Sequence, residues 1–166
     1  MIIYNMHNKS KRVQFKLHND KKPRKTRKQC VGGAKRNHNS NASKSHLVSV
    51  FLEMLNMVKL YHWKTHSYAQ HKATDDLYAS LNSDVDKFIE VLLGKDAKRI
   101  KMMEKKIDLI DPINVTDFKS RIYEYREFLM DMNMHFNETR DSDLLSIRDD
   151  LLADINQFLY LMTFRK

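Results

Sequence analysis

Four stretches of this chain repeat apolar residues every three or four positions, and little interrupts them. The 166 residues hold only three glycines and two prolines, too few for a turn-rich β protein. Val48, Phe51, Leu55, Val58 and His62 make one stripe, and Leu77, Leu81, Val85, Phe88 and Leu92 a second. Phe118, Ile122, Tyr125, Leu129, Met132 and Phe136 make a third. Leu144, Ile147, Leu151, Ile155, Phe158 and Met162 make a fourth. Steps of three and four put each set on one side of an α-helix. The stripes predict helices over about 45–64, 68–93, 117–138 and 143–164. Ser45, Thr116 and either Asp141 or Ser142 are the expected N-caps, and Gly94 the expected stop of the second helix. The fold class is therefore all-α, a four-helix bundle over residues 46–166. Lys95 to Asp111 is a long charged connection, closed by Pro112, which predicts a crossover link between the second and third helices. A short helix holding Ile100, Met103 and Ile107 is expected within it.

The net charge of +9 averages two unlike parts. Residues 1–46 hold thirteen Lys and Arg against one acid, Asp20, and residues 47–166 hold seventeen against twenty acids. Residues 1–45 show no sustained period and read as a disordered basic tail, because such a composition buries too little apolar surface to offset ordering entropy. Its basic run is Lys21, Lys22, Arg24, Lys25, Arg27 and Lys28. Such a run binds nucleic-acid phosphates with release of counterions, serves as a nuclear-import address, or simply solubilises. The single cysteine, Cys30, excludes an intrachain disulfide framework and fits a reducing compartment. No secretion signal is visible, and the most apolar window, Leu47 to Trp63, is broken by Glu53 and Lys59 and falls short of a membrane span. A soluble intracellular protein with no membrane contact is expected.

Chemistry concentrates between His62 and Glu90. His71 and Asp75 are four apart, as are Asp86 and Glu90, and on a helix all four fall within about 100° of arc, away from the apolar stripe. This face is either the solvated side of an amphipathic helix or a ligand set, since imidazole with carboxylate suits iron or zinc. Asp75 and Asp86 are separated by about 16 Å of helix rise. One chain therefore cannot close a metal site with this face alone. Two copies crossing antiparallel about a two-fold axis can, giving two equivalent sites. Asp76 and Asp84 read as solvated.

His62-Trp63, then His71-x3-Asp75, then Asp86-x3-Glu90 on a long second helix resembles the Dps family of mini-ferritins. The resemblance spans most of residues 47–166 and implies a ferritin-like bundle, iron oxidation by peroxide or oxygen, and storage in a dodecameric homo-oligomer. It also implies DNA binding through a basic tail. Carried over by position, His62, His71 and Asp75 come from one subunit and Asp86 and Glu90 from a second. Trp63 stands beside the iron as an interceptor of oxidising radicals. The stretch between His62 and His71 is shorter than usual for that family and lacks its glycine, so His66 is an alternative to His62. The competing reading is a non-catalytic ferritin-like protein that coats DNA, as a virion component would.

Overall fold

A computed structural model describes residues 41–103 and 106–164. The basic run from Lys21 to Lys28 and nearly all of the expected tail lie outside the described residues. Four α-helices are present among the described residues, α1 (Asn41–Lys64), α2 (Tyr68–Asp96), α3 (Val115–Asp131) and α4 (Ser142–Leu161). No strand occurs among the described residues.

The apolar stripes become one core shared by all four helices. Every stripe residue of α2 is buried, as are Phe118, Ile122, Tyr125 and Leu129 of α3 and Leu144, Ile147, Leu151, Ile155 and Phe158 of α4. On α1 the buried set departs from the expected stripe: Val48 is only half-buried, and Leu47, Val50, Met54, Met57 and Tyr61 are added. Phe51 meets Phe88 edge to face, and the Tyr61 and Phe118 rings stack at 3.9 Å.

Contacts at the helix ends fix the direction of each element. Only Thr65, His66 and Ser67 separate α1 from α2, so these two are antiparallel neighbours. The following link runs back along α1. The Lys101 amide donates to Asn41 Oδ1 at 2.9 Å, the Met103 amide to Ser45 Oγ at 2.8 Å, and Lys64 Nζ reaches Asp111 Oδ1 at 2.9 Å. The link thus returns the chain to the end where α2 began, and α3 starts beside the last turn of α1. Lys95, at the far end of α2, pairs with Asp143 at 2.7 Å and places the start of α4 there. The order is up, down, a full-length crossover, down, up.

Several expected boundaries are corrected by where backbone groups find partners. Ser45 is not an N-cap: it lies inside α1, 1% exposed, with its hydroxyl oxygen accepting from the link. Gly94 is not a stop. α2 continues to Asp96, and Ala97 takes the left-handed conformation at φ 51°, while a side chain at Gly94 would meet nothing. α3 is capped by Asn114, whose Oδ1 accepts from the Thr116 and Asp117 amides at 2.9 and 3.0 Å. It ends at Asp131 in a single tight turn, Met132–Met134, short of the expected residue 138. Asp141 stands at the α4 N-cap position, but its carboxylate accepts from the Asn137 amide at 2.8 Å instead. Among the described residues of 97–114 there is no short helix. Amides there turn to α1 side chains in place of carbonyls one turn back.

Two buried or half-buried charges hold helix ends and seams. Arg148 on α4, 5% exposed, donates to the Leu129 carbonyl at 3.0 Å, which also accepts from the Met132 amide, and to Asn133 Oδ1 at 2.7 Å, tying α4 to the end of α3. Asp84 of α2 is half-buried, not solvated, and hydrogen-bonds Asp154 of α4. Burial, then the neighbouring Asp84 and Asp150 charges, push the Asp154 carboxyl above its usual range. A carboxyl raised in the folded state stabilises the fold when protonated, and that contribution is lost as pH rises through the folded value. Asp154→Asn should therefore be the more stable protein at pH 7, by less than about 1 kcal/mol at this half-screened position. The gain should shrink as pH falls into the carboxylate range. Urea denaturation at several pH values checks this, and a variant less stable at pH 7 would contradict it.

Candidate metal centre

The three-residue turn brings the last turn of α1 against the first turns of α2. There the structure joins three of the expected ligands, His62, His71 and Asp75. The two imidazole rings stack at 3.9 Å between centroids with 24° between planes. Each ring also holds the other residue's backbone. His62 Nδ1 lies 3.1 Å from the His71 carbonyl oxygen, and His71 Nδ1 lies 3.0 Å from the His62 carbonyl oxygen.

A carbonyl oxygen can only accept, so both Nδ1 atoms carry the proton. A neutral ring bonded in this way keeps its lone pair on Nε2. Thr74 agrees with this assignment. Its hydroxyl is within 2.8 Å of the Gln70 carbonyl and 3.0 Å of the His71 carbonyl, to either of which it donates its one proton. It therefore offers only a lone pair to His62 Nδ1, 3.3 Å away. His62 Nε2 faces Asp75, with Oδ1 at 4.0 Å. Nδ1–H bonds to carbonyls with a free Nε2 are the arrangement that orients histidine for a metal.

His62 is 7% exposed and Thr74 is fully buried, whereas His71 and Asp75 are open to solvent. The pair thus sits at the rim of the core, reachable from one side. Beneath it, Gln70 Oε1 accepts from Tyr61 Oη and Thr65 Oγ1, both at 2.8 Å, and the Ser67 hydroxyl caps α2 at Gln70. These groups fix the turn that aligns the two histidines. The sequence reading missed Thr74 and Gln70. Thr74 is three residues beyond His71, a spacing that a search for ligands passes over.

The remaining expected residues are placed elsewhere. Asp86 and Glu90 are exposed further along α2. The helix rise keeps Asp86 about 16 Å and Glu90 about 22 Å from Asp75, so one chain does not join the two pairs. Among the described residues, no group of three or more such side chains is set to hold a metal within one chain. His66 is exposed in the turn and lines a cavity with Tyr61, Lys64, Gln70, Ile113 and Asn114. Of the two alternatives for the first ligand, it is His62 that stands against His71. Trp63 is 69% exposed, with the Lys59 ammonium 5.8 Å from its ring centroid and 4.7 Å from that of Tyr78.

The molecule is thus an all-α protein with a carbonyl-locked histidine pair at the α1–α2 turn. Residues 62–162 match the model of a family of unknown function, DUF5856, and the chain belongs to that family. The match opens at His62 and takes in every residue of this centre. No curated protein and no solved structure matches the chain.

If the lock is as described, nitrogen NMR will report the Nδ1–H tautomer at both His62 and His71. Thr74→Ser and Thr74→Val should both keep it, because the His71 carbonyl still takes the His62 Nδ1 proton. An Nε2–H signal at either histidine in the unaltered protein would refute the assignment.

Proposed function

We propose that the protein is a ferritin-like, Dps-like ferroxidase that oxidises Fe(II) at a site shared between two copies and stores the product. The observation that carries the reading is the mutual Nδ1–H to carbonyl bonding of His62 and His71, which leaves both Nε2 lone pairs for a metal beside Asp75. Two imidazoles with carboxylates suit iron, and also zinc. The single full-length crossover between helix pairs supports a ferritin-like bundle. His62, His71 and Asp75 of one copy would hold the metal together with Asp86 and Glu90 of a second. The assembly is at least a two-fold homodimer, and a closed dodecameric shell is its natural extension.

Iron is substrate and cargo here. Each Fe(II) gives up one electron, and each peroxide takes two electrons and two protons to leave two waters. The residues bind and orient iron, and the redox chemistry is the metal's own. Trp63, exposed and next to His62 in the chain, would take up stray oxidising equivalents.

Fe(II) mixed with peroxide should be oxidised rapidly by the purified protein. Asp86→Ala/Glu90→Ala and His71→Ala should each slow this by about tenfold or more, the scale set by loss of metal affinity. Equal rates in all three proteins would remove the ferroxidase reading.

The basic segment supports a second activity of the same protein. Lys21, Lys22, Arg24, Lys25, Arg27 and Lys28 would bind DNA phosphates, with affinity falling steeply as salt rises. Replacing these six by Gln should flatten the salt dependence in a fluorescence-anisotropy titration. An unchanged slope would rule out this segment as the DNA contact.

A further inference from the structure

The crossover link carries apolar residues that the fold leaves uncovered. Met103 is 64% exposed, Leu109 66% and Ile113 71%, with Ile107 at 36%. Loops of this length usually carry polar side chains, and those without secondary structure in a compact domain are usually functional. These residues lie along one face of α1. Ser45, Leu52, Asn56, Leu60 and Trp63 fall within about 80° of arc on that helix. The link follows this face from Ser45, which accepts from the Met103 amide, to Lys64, which reaches Asp111. Leu60, Trp63 and Leu109 line one cavity of about 410 Å³ between helix and link. Even so, Leu52 stays 38% exposed and Trp63 69%.

Together these six side chains expose roughly 700 Å² at ~200 Å² for a large residue. That approaches the ~800 Å² that each partner contributes to a standard stable interface. The patch also borders the metal centre. Lys59 bridges the Trp63 ring to the Tyr78 ring of α2, and Tyr78 lies within about 20° of the His71 direction on that helix.

We infer that the face formed by α1 and the crossover link is where a second copy of this chain seats. This inference rests on the shared-site reading and names the surface that reading needs. The partner covers Leu52, Met103, Ile107, Leu109 and Ile113. Because the patch adjoins His71 and Asp75, covering it brings the partner's α2 to the open side of the histidine pair. The apolar part supplies the stability, and the polar face of α2 supplies the ligands.

Mass by light scattering on the full chain tests the inference. The unaltered protein should run as a dimer or a multiple of one. Leu109→Glu/Ile113→Glu should cut the mass at least twofold with unchanged helix content and melting temperature. Met134→Glu, at an exposed apolar position outside this face, should leave the mass alone. Hydrogen exchange of residues 106–113 gives a readout without substitution, since protection there should rise with protein concentration. A monomeric unaltered protein, a double variant that keeps its mass, or concentration-independent exchange would each overturn the inference. The two readings fail separately. A double variant that keeps its mass, in a protein whose iron oxidation needs Asp86 and Glu90, removes this interface alone. Dissociation by the double variant, with iron oxidation indifferent to Asp86 and Glu90, removes the metal reading alone.

Discussion

The α1–α2 hairpin depends on how His62 and His71 treat each other's carbonyls. His62 lies in the last turn of α1, where carbonyl groups have no amide one turn ahead to accept from. His71 supplies the missing donor through Nδ1, and His62 returns the same bond to α2. A buried carbonyl left open at that point would cost about 1–3 kcal/mol. With three residues in the turn there is little slack. The paired bonds therefore set the register of α1 against α2, and through Tyr61 on Phe118 the start of α3. The link then has to run the length of α1 to deliver the chain to that point.

Each histidine is consequently divided between two tasks. Nδ1 is committed to backbone architecture and Nε2 is left over. A purely structural account explains the first nitrogen and has no use for the second. The exposure pattern is uneven in the same sense. His62 and Thr74 are buried, where their bonds are strong and water does not compete, while His71 and Asp75 face outward. A histidine serving only to cap a helix needs no carboxylate beside its other nitrogen. Asp75 is four residues beyond His71 and within reach of His62, so one turn of α2 supplies both the lock and its acidic neighbour.

The helices were legible in the sequence because apolar period is a property of each segment taken alone. All five α2 stripe residues are buried, with the corresponding α3 and α4 positions close behind. Helix ends were less legible, because caps are decided by partners distant in sequence. Ser45 has a good capping side chain but spends it on Met103, fifty-eight positions away. Gly94 is a permissive residue, not an obligatory stop, and nothing at that point forces the backbone to turn. The link's short helix was expected from its apolar spacing, but Met103 and Ile107 stay exposed and the link's amides turn to α1 side chains instead. At the site, His71 and Asp75 were readable from their spacing on one helix. The choice of His62 over His66, and the part played by Thr74 and Gln70, depend on the path of a turn that spacing does not encode.

The long second helix explains why the proposed centre would be divided between two copies. α2 must bury Leu77 to Leu92 on one side to hold the bundle together, which commits that side over nearly its whole length. Its opposite side is free, but it is straight, so two ligand pairs placed there stay apart by the rise between them. No side-chain rotation spans about 16 Å, and bending the helix would break the core stripe behind it. A second antiparallel copy, as proposed, would remove the conflict without altering either helix. It would also give the uncovered residues of the link something to pack against. In the shared-site proposal, the same straightness that stabilises one chain is what would leave its chemistry incomplete, and the exposed apolar face beside it lies where the completing chain would sit.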